Sequence, residues 1–439
     1  MRGPCAALLF GVAQVLHQDP RSIILVASTD NCRVLFPPTL EAAQARVRSI
    51  RPADYARTRN HLDGAVSQLS PYITHGMISL PQVLVGVASR HPLPVQHKLV
   101  QELGWREYFH HVWQHRGDGI LDSFHAGPLP ESVYHPDMPA DIREARTGVP
   151  VIDRAVEVLY DTGYLHNHAR MWLASYVVHM RKIHWRAGAD WMFAHLLDGD
   201  LASNHLSWQW IAGTASSKPY LFNAENVARF APPEWHSAGS VLDTTYEALD
   251  AIARTPGAAM NEQTGDDAAS EVIRRTHVFE PPLLPDPPQR AAAPLHSVHR
   301  REVWLVHPWN LNKPPASIAS ECVLIGWWPA EFHARWPWNP ARWRFVDAAM
   351  SQLTSQQCVG DTALLQHALA GARAVHTYDN PHVRSLLPQS IQRIAAPRLF
   401  PEVAHLCQSF SSWWKHATRG IAQLTDLPGV AAAHLHPFR

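Results

Sequence analysis

The stretch Asp198-Gly199-Asp200-Leu201-Ala202-Ser203-Asn204-His205-Leu206-Ser207-Trp208-Gln209-Trp210 decides how the rest of the chain is read. On a helix, Asp200, Asn204 and Trp208 fall at i, i+4 and i+8 and form one stripe. A carboxylate, an amide and an indole on one face suit a flat heteroaromatic ligand with hydrogen-bonding edges, and the indole can also relay an electron. The same stripe serves an ordinary helix pair with a buried polar network. Upstream, the chain runs Thr147-Gly148-Val149-Pro150-Val151-Ile152-Asp153 and then Thr162-Gly163-Tyr164-Leu165-His166-Asn167-His168-Ala169-Arg170-Met171. Asn167, Arg170 and Met171 make a second face, and Arg170 is spaced to pair with Asp198 or Asp200. Further upstream, Gln101-Glu102-Leu103-Gly104-Trp105-Arg106-Glu107-Tyr108-Phe109 puts Glu102, Trp105 and Arg106 on one face. An acid, an aromatic plate and a cation together can read a base. The alternative is an i,i+4 Glu102–Arg106 pair worth about 0.2–0.5 kcal/mol.

The 439 residues balance 38 Lys+Arg against 38 Asp+Glu, which excludes a tail-like or histone-like nucleic-acid binder. Apolar residues make up 46% and charged residues 17%, so burial can carry the fold over two domains or three. The neutral total conceals a basic stretch. Residues 46–116 carry nine Lys/Arg (Arg46, Arg48, Arg51, Arg57, Arg59, Arg90, Lys98, Arg106, Arg116) against four acids (Asp54, Asp63, Glu102, Glu107), a local +5. That stretch fits contact with a phosphate backbone, or a solvated charged surface.

Seventeen Trp and 29 His are unusual counts. An indole buries well only where its N–H finds a partner, so this many suggests stacking surfaces, an electron path or core filler. The five cysteines are scattered without a CxxC pair. A disulfide framework, a zinc site and an iron–sulfur cluster between Cys32 and Cys322 are therefore not expected. No metal site is expected anywhere. Residues 6–13 faintly resemble a secretory signal, interrupted by Gln14 and His17. No run reaches the roughly 18 apolar residues of a membrane span. The expectation is a cytoplasmic monomer that makes no membrane contact.

Four regions are expected: residues 1–38 of unclear structure, a helical domain over 39–236, a Pro-rich linker over 237–300 and an α/β domain over 301–425. Ile23-Ile24-Leu25-Val26 reads as a strand or a frayed start. Turns are expected at Pro71, Gly76, Pro92, Gly119 and Gly148. Six prolines between Pro281 and Pro294 read as an extended, semi-rigid spacer. Beyond it, Val303–Val306, Cys322–Ile325 and Ala374–His376 read as short strands, with helices over Ala341–Leu353 and Thr362–Ala372.

These motifs resemble, in order, the flavin-binding half of the photolyase/cryptochrome family. Tyr55, Arg59-Asn60 and Ser67-Gln68-Leu69-Ser70-Pro71-Tyr72 resemble the segment that holds the FAD phosphates. The Glu102–Glu107 block resembles the lesion-facing helix. The blocks around Thr147–Asp153, His166–Met171 and Asp198–Trp210 resemble the flavin-cradling helices. The resemblance implies an all-α FAD-binding domain of photolyase/cryptochrome type over about residues 40–236, plus a smaller α/β Rossmann-like domain. It implies FAD contact at Tyr55, Ser67, Gln68, Leu69, Ser70, Asn167, Arg170, Asp198, Gly199, Asp200 and Asn204, with Asn204 at the flavin N5. It implies UV-damaged DNA as partner, met by Glu102, Trp105, Arg106, His168 and Trp210. Trp208 and Trp185 match two members of a photoreduction chain whose third member has no counterpart; the nearby aromatic is Tyr134. The sequence also departs from the family pattern at Val66, at His168 (where DNA-repairing relatives carry Arg) and at Leu206-Ser207.

The family begins with an α/β antenna domain of about 130 residues, for which there is no room before residue 39. Residues 302–420 follow that domain's internal order, ending on Ser409-Phe410-Ser411-Ser412-Trp413-Trp414. They are either an antenna-like domain at the C-terminus, with an antenna chromophore of unknown identity, or an unrelated α/β module. The function implied is light-driven splitting of cyclobutane pyrimidine dimers by reduced FAD, a lyase reaction. The alternatives are a blue-light photoreceptor without repair and a flavin-binding helical protein with no light role.

Overall fold

The computed structural model describes residues 35–257, 278–288, 298–318 and 321–434. The strand-like run at Ile23–Val26, the signal-like segment and Pro294 lie outside the described residues.

The chain from 40 to 254 is helical: α1 Leu40–Ser49, α2 Pro52–Thr58, α3 Ser70–Thr74, α4 Leu80–Ala88, α5 Lys98–Arg116, α6 Ala140–Arg143, α7 Pro150–Thr162, α8 Asn167–Ser175, α9 Trp185–His195, α10 Leu201–Ala212, α11 Ala224–Phe230 and α12 Tyr246–Arg254. Local chemistry sets the ends. The Thr39 hydroxyl accepts the Ala42 N–H to start α1, and Ser79 with Gln82 forms a capping box at α4. Gly163 takes φ 64° to close α7, a left-handed conformation that costs glycine little. Pro71, expected as a turn, instead sits in the first turn of α3, where its missing N–H costs nothing.

The remainder is an α/β layer: β1 Glu302–Val306, β2 Val323–Pro329, α13 Ala330–Arg335, α14 Pro340–Leu353, β3 Gln357–Gly360, α15 Thr362–Ala368, β4 Ala374–Tyr378, β5 Gln392–Ile394, α16 Phe410–Ala417 and α17 Pro428–His434. All strands are parallel, in the order β3-β2-β1-β4-β5, with Val303 beside both Val323 and Val375. Val303, Trp304, Leu305 and Val306 are all buried, as a central parallel strand requires. The strand at Ala374 is the fourth in the chain, and β5 carries no apolar run that marks it in the sequence. The helix begun at Thr362 stops at Ala368, before Gly371 at φ 88°.

The two parts share a core. One apolar cluster runs from Phe36 and Val83 through Val112 and Phe193 to Trp304, Trp338 and Val430. A second, wholly within the helical part, joins Ile152, Trp172, Trp185, Trp208 and Leu249. Most of the tryptophans beyond residue 300 are core. Trp309, Trp338 and Trp343 are buried and meet edge to face or tilted, with ring centres 4.9–5.7 Å apart along the row.

The segment expected to be an extended spacer is anchored at several points where it is described, although Phe279 and residues 282–286 are exposed. α12 buries Leu249 and Ala253. Glu280 pairs with Arg143 at 2.5 Å and accepts the Trp191 Nε1–H at 3.0 Å, and Leu284 bridges Trp338. Charge pairing and indole contacts hold the prolines to the surface. Among the described residues no helix is long and apolar enough to cross a membrane, and no cluster of ligating side chains could hold a metal.

The histidine excess has a stability consequence. His75, His179, His307, His333 and His382 are buried. Burial lowers the proton affinity of His75 to about 3 and of His179 and His307 to about 4, and holds His333 and His382 well below the ordinary 6.5. The unfolded rings take protons near pH 6.5 and the folded ones do not. Their contribution is complete above pH 6.5 and is lost as pH falls toward 4, at about 1.4 kcal/mol per pH unit for each ring. The urea unfolding midpoint should fall steeply between pH 7 and pH 5. An unchanged midpoint over that range contradicts this burial.

Candidate functional site

The turn between α9 and α10 carries two carboxylates two residues apart, and both are buried. Arg170 of α8 reaches Asp198 with Nη2 at 2.8 and 3.0 Å from its two oxygens. Asp200 is not inside the helix: it is the N-cap of α10 and accepts the Ser203 N–H at 2.8 Å. Its other oxygen meets His110 Nε2 at 2.9 Å and Arg106 Nη2 at 3.8 Å. Burial pushes both carboxyls up. Arg170 at Asp198, and His110 with Arg106 at Asp200, outweigh it and leave both below the ordinary carboxylate range.

In front of α5 and α8 opens a cavity of about 500 Å³. Tyr55 comes from α2 and Arg59 from the residue that ends it, Ser67, Gln68 and Leu69 come from the loop into α3, and Ser70 is the first residue of α3. Glu102 and Arg106 project from α5, and Asn167, His168 and Met171 from α8. Gln68 holds φ 50°, an uncommon conformation for a non-glycine residue, and its side chain accepts from Arg46 at 2.6 Å. Glu102 does not pair with Arg106 along the helix. It pairs with Arg59 at 2.8 Å, while Arg106 donates to the Thr74 hydroxyl at 2.9 Å. Burial lifts the Glu102 carboxyl above its ordinary range despite Arg59.

Several residues expected at the site stand elsewhere. Asn204 is buried, with its amide nitrogen donating to the Ala189 carbonyl at 2.8 Å. Trp208 is buried against α9, where Gly188 leaves room: a Cβ there would lie 2.3 Å from the indole. Trp185 is buried with Nε1 on the Ser123 hydroxyl at 2.9 Å. Trp210 is 41% exposed and leans on Tyr220. Arg170, Asp198, Gly199 and Asp200 do not line the cavity. Trp105 does not line it either, because one face of its ring stacks on Phe410 of α16 at 4.1 Å and 9°. His168 lines the cavity but is not poised for a phosphate. It is buried, bonded to the Asn60 carbonyl at 2.7 Å, and burial lowers its proton affinity.

The basic stretch is largely spent internally. Arg51 and Arg57 share Asp54, Arg59 holds Glu102, Arg90 donates to the Val47 carbonyl, and Arg116 lies 4.0 Å over the Phe124 ring. Motif reading did not find Asn226 and Phe230 of α11, which also line the cavity. They stand at no diagnostic spacing. Tyr164 and His166 line it too, and both sit inside the quoted block that leads into α8.

A cavity of this size, lined by Tyr55 and Tyr164 together with charged and polar side chains, has the dimensions of a small-molecule site. Residues 99–235 match a family model described as the FAD binding domain of DNA photolyase. The chain is 37% identical over 197 residues to a deoxyribodipyrimidine photo-lyase of Thermus thermophilus, covering 42% of this chain and 45% of the relative. It is 33% identical over 195 residues to one of Synechococcus, covering 40% and 39%. The chain thus spans less than half the length of these relatives. A crystal structure of a Synechocystis cryptochrome matches at 28% identity with a TM-score of 0.38, over 44% of this chain and 43% of that one.

The Arg170–Asp198 pair yields a direct test. Arg170→Met leaves a buried carboxylate without its cation and should cost about 3–5 kcal/mol in urea unfolding. A loss below 1 kcal/mol contradicts the pairing.

Proposed function

We propose that the chain binds FAD in the α2–α3–α5–α8 cavity and splits cyclobutane pyrimidine dimers in UV-damaged DNA under light. The observation that carries this reading is the convergence of Tyr55, Ser67–Ser70, Glu102, Arg106 and Asn167 on one cavity, within and beside the segment that matches the photolyase FAD-binding family. The residues suit the cofactor. The Tyr55 and Tyr164 walls accept a flat ring system, the Ser67 and Ser70 hydroxyls and Asn167 supply hydrogen bonds, and Arg59 and Arg106 supply positive charge for phosphates. Bound FAD supplies, when reduced and excited by light, the electron that opens the cyclobutane ring.

The chain's own residues orient and protect. The Glu102 carboxylate is placed to hydrogen-bond the pyrimidines, once Arg59 yields one of its oxygens. Trp105 offers one ring face to a flipped base, because Phe410 holds the other; photolyases are known to extrude their target in this way. Asn204 keeps a buried neutral amide on α10, outside the cavity lining, and adds no proton source on that helix. Trp208 and Trp185 stand as buried indoles on neighbouring helices for electron resupply. Trp185 has His184 at 5.8 Å, and His184 has Tyr134 at 6.4 Å, so an aromatic route leads toward Tyr134 in place of a third indole.

The sheet order β3-β2-β1-β4-β5 supports an antenna-like role for the C-terminal part. It is a doubly wound arrangement, whose switch point between β1 and β4 is where such sheets take ligands.

Illumination of the chemically reduced, FAD-loaded protein with a dimer-containing oligonucleotide tests the reading. Dimers should be lost under light and not in the dark. Glu102→Ala should slow the loss by about 10–100-fold, the worth of a hydrogen bond to a charged group. No loss of dimers by the wild-type protein overturns the repair reading.

A further inference from the structure

Arg342, near the start of α14, carries its guanidinium out of the α/β part and into the helical part. The side chain is fully buried. Nη2 donates to the Gly199 carbonyl at 2.5 Å, and Nη1 to the Phe193 carbonyl at 3.2 Å. The guanidinium carbon lies 3.9 Å from the centre of the Trp338 ring, a cation–π contact in a dry setting. This close approach explains the glycine between the two carboxylates: a Cβ at position 199 would stand 2.3 Å from Arg342 Nη1 and 2.7 Å from the Phe193 carbonyl oxygen.

Both bonds end on neutral carbonyls. Among the described residues no carboxylate lies within ion-pair distance of Arg342, while Asp198 is taken by Arg170, and Asp200 by His110 and Arg106. Two carboxylates therefore face three guanidinium groups around one turn, and one positive charge is left over. Burial lowers the proton affinity of Arg342 to about 9, which still leaves it charged at neutral pH. His382, also from the α/β part, adds no charge here. Its Nε2 accepts the Leu201 N–H at 3.3 Å, and burial holds it neutral. Away from water, a surplus charge acts farther than it does at a surface.

We propose that Arg342 is a positioning residue of the flavin site: it grips the Asp198-Gly199-Asp200 turn from the α/β side and supplies the surplus positive charge that favours reduced, anionic flavin over the neutral oxidised form. The proposal rests on the FAD reading above. Reduction by two electrons with uptake of one proton takes the neutral ring system to an anion, and a fixed cation nearby stabilises only the second state. The α/β part thereby acts on the chemistry of the helical part without lining its cavity.

Arg342→Gln and Arg342→Lys, each in the full chain loaded with FAD, test this in a dithionite titration alongside FAD affinity and urea unfolding. Arg342→Gln should shift the ratio of oxidised to reduced affinity about tenfold toward the oxidised form, a fall of about 30 mV for the two-electron couple. Arg342→Lys keeps the charge and should hold that ratio within about threefold of wild type. It should bind FAD more weakly, because an ammonium lacks the planar fork that meets the Gly199 and Phe193 carbonyls and the Trp338 face together. A folded Gln variant that binds FAD at the wild-type potential overturns the proposal. If the Gln variant does not fold, the Lys variant decides: a retained potential with weakened FAD supports the proposal, and a fallen potential overturns it. A wild-type chain that takes up no FAD removes the cofactor reading and this inference together. FAD uptake with a potential indifferent to residue 342 removes the inference alone.

Discussion

Two carboxylates buried two residues apart, Asp198 and Asp200, are the constraint on which the rest depends. A buried charge is costly unless paired, and breaking one such pair is worth several kcal/mol. The chain answers from two helices, with Arg170 of α8 on Asp198 and with His110 and Arg106 of α5 on Asp200, while Arg342 from the α/β part holds the Gly199 carbonyl between them. That demand fixes which helices must meet around the turn. It also explains why residue 199 has no side chain and why the two parts share one core.

Helix α5 shows the same coupling from its other side. Glu102 and Arg106 face the cavity. A different face is clamped by the C-terminal segment: Glu107 accepts the backbone N–H groups of Leu399 and Phe400, His111 accepts that of Cys407, and Gly104 admits the Trp414 ring. Phe410 then stacks on Trp105. The helix that presents the proposed base-reading residues is thus held in register by residues some 300 positions later in the chain. A site built in this way keeps its geometry only while the α/β part stays docked.

Much of this was legible in the residues themselves. The turn and helix at 198–210 stood out by the clustering of charge, amide and indole, and the first two strands by short runs with no polar interruption. The partners were harder to read. A helical spacing pairs Glu102 with Arg106, but the fold brings Arg59 closer, and no periodicity carries that information. Trp105 reads as a free aromatic plate until Phe410, distant in sequence, covers it. Arg342 looks like one surface cation among many in an α-helix; only the docking of the two parts buries it. The proline run reads as a spacer because φ restriction is local, whereas its attachment through Glu280 to Arg143 is not. His168 has the spacing of a phosphate ligand and the burial of a core residue, and burial decides its charge.

The central claim is that the helical cavity is an FAD site. The most direct measurement is the FAD released by acid from the purified chain after incubation with excess cofactor and removal of the unbound fraction, quantified against protein. Close to one FAD per chain is expected, with the loss of most of it in a variant that fills the cavity at Ser67. A chain that retains no FAD would contradict it.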